Sequence, residues 1–244
     1  MEYEIKPQGV ISEMTKKIGI IGAMDIEVDG LVKQMTHVKK EKYGIYTYYD
    51  GLLFGKSVVV VKCGIGKVNS SMCAQIMIYK YRPDVIINSG VAGAIDDKLN
   101  ILDCVVATKV VQHDLDTTPI GDPLGYISGL DTIYLDTSED ISKKMYEAVK
   151  KTGNNVVMGI IASGDQFIAG KEKKEFLLKQ FGAIACEMEG GAIGHICVAN
   201  RVPFAVIRTI SDGKGDALDF ITFSKIAADK SVDIIKEFIK NYEV

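Results

Sequence analysis

Three carboxylates stand out by where they fall along the chain. Glu27 follows the apolar run Ile18-Gly-Ile-Ile and the turn Gly22-Ala-Met-Asp. Glu189 belongs to Cys186-Glu187-Met188-Glu189, which runs into Gly190-Gly191-Ala-Ile-Gly194. Asp212 closes Phe204-Ala-Val-Ile-Arg208-Thr-Ile-Ser211-Asp212. Each sits at the exit of a strand-like run, and carboxylates that converge can divide the roles of proton donor and acceptor. Each also has a plainer reading. Acids at a helix start complement the helix dipole, and a Ser-Asp pair can cap a turn. Two features ask for more. Three glycines within five positions cost a helix about 1 kcal/mol each against alanine, so a packing or ligand reason is needed. Arg208, inside an apolar strand, needs a buried partner; Glu187 and Glu189 are the nearest in chain order.

Other motifs carry less. Gly19 and Gly22 lack the dinucleotide-binding G-x-G-x-x-G spacing, and Asp25 and Glu27 would repel a pyrophosphate. Cys63-Gly-Ile-Gly-Lys67 lacks the glycine spacing of a phosphate-binding loop and has Val68 where Ser or Thr belongs. A backbone turn that admits a ligand closely remains. Asn88-Ser-Gly-Val-Ala-Gly93 offers small residues either for close approach of a ligand or for a tight turn. His113-Asp114-x-Asp116 has metal-ligand types, but no second histidine lies nearby, which favours loop hydrogen bonding.

The elements that must hold these residues alternate between short apolar runs and amphipathic stretches. Strands are expected at 18–21, 84–88, 104–108, 156–162 and 204–210, with a hairpin of 45–50 and 57–62 around Gly51 and Gly55. Helices are expected at 24–35, 70–81, 138–151, 171–181 with Gly182 as its C′ residue, 188–200 and 223–242. Residues 112–136 read as a long loop of the kind that is often functional or subunit-bridging. This pattern predicts one α/β domain whose largely parallel sheet is covered on both faces. Ligands then sit beyond the carboxyl ends of the strands.

Composition narrows the class. Of 244 residues 47% are hydrophobic and 25% charged, which excludes a mostly disordered chain. No apolar run approaches the about 20 residues of a membrane helix. A net charge of −3, with only Arg82, Arg201 and Arg208 as arginines, gives no footprint for nucleic acid or an anionic membrane. Five widely spaced cysteines with no C-x-x-C pair fit a reducing, cytoplasmic compartment. Residues 1–17 are polar and patternless and are expected to lie outside the core, leaving 18–244 as the domain.

Five ordered segments carry a family resemblance: Gly19-Ile-Ile-Gly-Ala-Met-Asp-Ile-Glu27, Cys63-Gly-Ile-Gly-Lys-Val68, Ser163-Gly-Asp-Gln-Phe-Ile168, Glu187-Met-Glu189 and Arg208-Thr-Ile-Ser-Asp212. Across residues 17–242 the chain resembles the 5′-methylthioadenosine/S-adenosylhomocysteine nucleosidases of the nucleoside phosphorylase superfamily. The resemblance implies a three-layer αβα sandwich around a mixed, largely parallel sheet, a homodimer, and hydrolysis of the N-glycosidic bond to adenine without metal or organic cofactor. It implies Asp212 as the acid that protonates adenine N7 and Glu27 as the carboxylate that activates water. Glu189 would hold the ribose hydroxyls, with Met188 beside it and Arg208 nearby. Phe167 would stack on the purine while the Ile168 backbone reads its edge, and Ile65 and Phe220 would line the 5′-substituent pocket. Ala92, Gly93, Glu187 and Ser211 complete the expected binding set. Val91 stands where some relatives have serine, and the 116–129 loop is expected to reach the partner subunit's 5′ pocket.

These residue types suit that chemistry. Breaking an N-riboside builds positive charge on the ribose and negative charge on the base, so a buried acid beside N7 and a carboxylate on water match the demand. A phosphorylase would need cations where Glu27 stands, and a nucleoside sensor would not need three convergent carboxylates.

Overall fold

The apolar runs become a ten-stranded mixed sheet in a computed structural model that describes residues 16–213 and 217–242. In chain order the elements are β1 (Lys17–Gly22), α1 (Asp25–Val32), β2 (Thr36–Tyr43), β3 (Tyr46–Leu53), β4 (Lys56–Lys62), α2 (Lys67–Tyr81), β5 (Val85–Ala94) and β6 (Cys104–Gln112). A 3₁₀ turn at Thr118–Ile120 and β7 (Tyr134–Asp136) lead to α3 (Glu139–Lys151), β8 (Val156–Ser163), α4 (Lys171–Phe181), β9 (Ala183–Glu187), α5 (Gly190–Ala199), β10 (Phe204–Asp212) and α6 (Ala217–Asn241). Helix α3 shows the local logic. Ile141, Met145, Ala148 and Val149 repeat at helical spacing and are buried. Glu139 and Asp140 open the helix and Lys150 and Lys151 close it, each on the favoured end of the dipole.

The sheet consists of two parallel sets running in opposite directions. β4, β1, β5 and β10 form one set; β6, β8 and β9 form the other. Antiparallel pairing of β10 with β6 and of β5 with β9 joins them, so β5, β10, β6, β8 and β9 close into a ring. The β5–β9 contact is only two pairs long, Gly93↔Cys186 and Ala94↔Ala185. It falls at the carboxyl ends of both strands. The ligand-bearing ends of the two sets therefore meet at this one crossing. Helices cover both faces: α1, α3 and α6 bury Leu31, Met145 and Phe238 on one side, while α2 and α5 bury Met77 and Ile193 on the other. The result is the expected three-layer αβα arrangement.

Several boundaries differ from the sequence expectation. β1 begins at Lys17, whose N–H bonds Asp84 and whose ammonium pairs with Asp50 at 2.7 Å, so Lys17 belongs to the core; residues 1–15 of the expected extension lie outside the described residues. β5 runs on to Ala94: of the two readings of segment 88–93, the turn gives way, since the segment pairs with β10, and its Val91, Ala92 and Gly93 line a cavity at the β5–β9 crossing. β2, a polar and mostly exposed edge strand, and the five-residue β9 carry no clear periodic signal. Of the ten strand pairings five are parallel and five antiparallel, so the parallel share is smaller than helix–strand alternation suggests.

Candidate active site

At the β5–β9 crossing lies a cavity of about 350 Å³ lined by Glu27, Ile65, Ala92, Gly93, Phe167, Ile168, Glu187, Met188, Glu189, Ser211, Asp212 and Phe220. Twelve of the thirteen expected site residues thus face one space. The thirteenth, Arg208, lies beneath it. Its guanidinium is 1% exposed and donates to Asn88 Oδ1, to Glu187 and to the Ile207 carbonyl.

Glu27 is buried in the first turn of α1, and the helix start itself orients it. Its Oε2 accepts the N–H groups of Ala23 at 2.6 Å and Met24 at 2.9 Å, and its Oε1 accepts that of Val91 from β5 at 3.1 Å. The dipole reading and the functional reading are therefore compatible: the cap fixes the carboxylate. Burial raises its pKa above the ordinary value, against the pull of Arg208 and the three N–H bonds. Asp212 ends β10 with Ser211 Oγ donating to its Oδ1 at 2.9 Å, and burial raises its pKa too, opposed by Ser211 and Lys174. A Cβ on Gly90 would lie 2.5 Å from Glu27 Oε1, and one on Gly93 would lie 2.6 Å from Asp212 Oδ2. Only glycine allows either carboxyl this close to β5. Three residues of strand separate the two contacts, about 10 Å at the usual rise.

Glu187 and Glu189 stand two residues apart and behave oppositely. Glu187 accepts the N–H groups of Glu189 and Gly190, the Ser163 hydroxyl and Arg208. Burial would raise its pKa, but Arg208 and these donors outweigh burial and hold it below the usual range. Glu189 keeps one such donor, the Gly66 N–H at 2.9 Å, from a glycine held at φ 97°. Burial and the adjacent Glu187 charge push it up to about 8.

At the mouth, Phe167 and Phe220 meet edge to face with centroids 5.5 Å apart, and Phe167 and Ile65 are about half exposed. Sequence reasoning missed Ala23, Met24, Val91, Gln166 and Cys186 as lining residues. Ala23, Met24, Gln166 and Cys186 lie within the recognised segments or beside them, and Val91 adjoins the expected Ala92, so the signal was adjacency. Cys186, expected as a small buried hydrophobe, is that and part of the wall as well. The glycines of α5 are explained by packing: a Cβ on Gly191 would come 2.9 Å from Ser163, and one on Gly194 2.9 Å from the Phe204 ring. Lys67 pairs with Asp114 at 2.6 Å, and Asp116 accepts the Thr118 N–H, so both acids of the His113 segment are engaged in loop contacts.

A ring of strands whose carboxyl ends hold buried carboxylates around one cavity defines a member of the Phosphorylase superfamily, whose family model matches residues 17–240. The 5′-methylthioadenosine/S-adenosylhomocysteine nucleosidase of Actinobacillus succinogenes is 37% identical over 230 residues, 93% of this chain and 100% of that protein. The aminodeoxyfutalosine nucleosidase of Campylobacter jejuni is 37% identical over 204 residues, 84% and 89% of the two chains. The crystal structure of the Neisseria meningitidis 5′-methylthioadenosine/S-adenosylhomocysteine nucleosidase in complex with methylthio-immucillin-A superposes with a TM-score of 0.89 at 32% identity, covering 93% of this chain and 100% of that one. The chain belongs to the 5′-methylthioadenosine/S-adenosylhomocysteine nucleosidase family.

Proposed function

We propose that this enzyme hydrolyses the N-glycosidic bond of 5′-methylthioadenosine and S-adenosylhomocysteine, releasing adenine and the 5-thioribose product. The observation that carries this reading is the pair Glu27 and Asp212, two buried carboxyls with raised pKa facing one cavity from separate elements. Asp212, whose pKa burial raises above the ordinary value, gives its proton to adenine N7, so the base leaves neutral. Glu27, more basic than a free carboxylate yet fixed by three N–H groups, takes a proton from the attacking water. Each such role contributes about 10²–10⁴-fold. Glu189 and Met188 hold the ribose, and Glu189 lies where its oxygens can steady the developing positive charge. Phe167 stacks on the purine, the Ile168 backbone reads its edge, and Ile65 and Phe220 enclose the 5′ substituent. The reaction needs no metal or organic cofactor. Arg208, expected to contact substrate, acts instead by holding Glu187 and orienting the Glu187–Glu189 turn.

Phosphorolysis is disfavoured by the same geometry: Arg208 is turned into Glu187 and Asn88, and Glu27 would repel the anion. The named relatives are nucleosidases of 5′-methylthioadenosine/S-adenosylhomocysteine and of aminodeoxyfutalosine. We assign the working form as a cytoplasmic homodimer, with neither nucleic acid nor membrane as a partner. Val68, Met72 and Tyr79 share one exposed face of α2, next to Ile65 at the cavity mouth, and supply an apolar surface for the partner. Among the described residues no helix is long and apolar enough to cross a membrane, and the five cysteines are free and buried. Adenine release from methylthioadenosine in phosphate-free buffer is the test. Hydrolysis should proceed at full rate; a rate that vanishes without phosphate and grows with it would replace this reading with phosphorolysis.

A further inference from the structure

Asp212 has a neighbour that the site residues do not include. Helix α4 delivers Lys174, only 5% exposed, whose ammonium donates to the Gly213 carbonyl and stands 3.9 Å from Asp212 Oδ2. Lys174 and Gly213 line a second cavity of about 360 Å³, bordered by Asp96, Asp97 and Glu175, whereas Asp212 lines the first. The lysine therefore approaches the end of β10 from a different space than the substrate does. Lysine is almost never buried without a charge partner, and bonding one carbonyl does not require a cation. Among the described residues four groups face Asp212: the Ser211 hydroxyl on β10, the Cys186 thiol on β9, Asp219 on α6 and Lys174 on α4. Burial pushes Cys186 up to about 12, so it stays neutral, and Asp219 opposes ionisation of Asp212. Lys174 is the one cation among these described groups.

We propose that Lys174 is a positioning residue for the acid step, supplying the counter-charge for the carboxylate that Asp212 becomes as its proton passes to the base. This rests on the nucleosidase reading above. In that step the Asp212 O–H bond breaks and the N7–H bond forms. The glycosidic electron pair leaves with the base as neutral adenine, and the negative charge remains on Asp212. An ammonium 3.9 Å away stabilises that charge in a buried setting, where screening by water is weak. Burial favours the protonated form of Asp212 and Lys174 offsets part of that preference, so the carboxyl is a stronger acid than burial alone would allow.

The experiment compares Lys174→Gln, which can still donate to the Gly213 carbonyl but carries no charge, with Lys174→Met and Lys174→Arg. Without the positive charge the carboxylate is less favoured, so Asp212 holds its proton to higher pH and gives it up less readily. The descending high-pH limb of kcat/KM for methylthioadenosine should move up by about one pH unit in Lys174→Gln. Its kcat at neutral pH should fall about tenfold, while a nitrophenyl riboside, whose leaving group needs no protonation, should be spared. Lys174→Arg should return both readouts toward wild type. An unmoved limb in folded Lys174→Gln, or equal losses on both substrates, would overturn the proposal, and the Gln variant decides even if the Met variant does not fold. A wild-type enzyme that releases no adenine would overturn the nucleosidase reading and this one with it.

Discussion

Four acids line one cavity and divide into two kinds. Glu187 is surrounded by donors: Arg208, Ser163 and the amides of residues 189 and 190. Glu27, Glu189 and Asp212 share the cavity with it but, among the described residues, have no direct guanidinium hydrogen bond, and burial raises all three. The difference teaches that burial alone does not mark a reactive carboxylate. Glu187, bonded directly by a guanidinium as well as by a hydroxyl and two amides, is held toward its ionised form. A buried acid whose donors do not outweigh its burial is one whose proton can be spent on a substrate.

The largest effect should come from the structural side. Arg208→Met leaves Glu187 buried and unpaired, which costs about 3–5 kcal/mol. Chemical denaturation should show a large drop in midpoint, and a variant as stable as wild type would erase the distinction drawn above. On the reactive side, Asp212→Asn should lower single-turnover cleavage of methylthioadenosine by about 10²-fold or more, with a much smaller loss of affinity. A nitrophenyl riboside should be partly spared; equal losses on both substrates in a folded variant would mean that Asp212 is not the acid. Glu27→Gln should lose most turnover, about 10²-fold, while still binding substrate. Turnover within threefold of wild type would remove Glu27 from the mechanism.

Smaller effects separate Glu189 from Glu187 by pH. Unfolded, Glu189 titrates near 4.5; folded, near 8. Between these values the folded chain keeps a proton that the unfolded chain has released, so stability should fall as pH rises through that window. Glu189→Gln should flatten that slope in thermal melts of the ligand-free protein. Glu187 has the opposite sign: its folded pKa is depressed, so its contribution is present above about pH 4.5 and is lost as pH falls through the folded value. Glu187→Gln should blunt the acid-side loss instead. Identical pH profiles for the two variants would show that the two carboxylates are not functionally separated.

Much of this was readable in the residues. Helix α4 spans the expected 171–181, with Gly182 in the left-handed conformation that ends it, because periodicity and a C′ glycine are local signals. The apolar strands β1, β8 and β10 were visible for the same reason. β2 and β9 were not, since an exposed edge strand of lysines and a five-residue strand between helices have no periodic signature. The site was legible because its residues cluster in short segments at strand exits.

The sequence by itself determined which acids, aromatics and glycines the site contains, because each is tied to a strand end or helix start by local chemistry. Only the tertiary structure decided which carboxylate does which work. That Arg208 turns to Glu187 and away from the cavity, that Gly66 reaches Glu189 across the site, and that Lys174 stands behind Asp212 are contacts between segments 21 to 123 residues apart. They exist because two opposed sets of strands cross at Gly93 and Cys186, and protonation depends on the charges and donors within a few ångströms, whatever their distance along the chain.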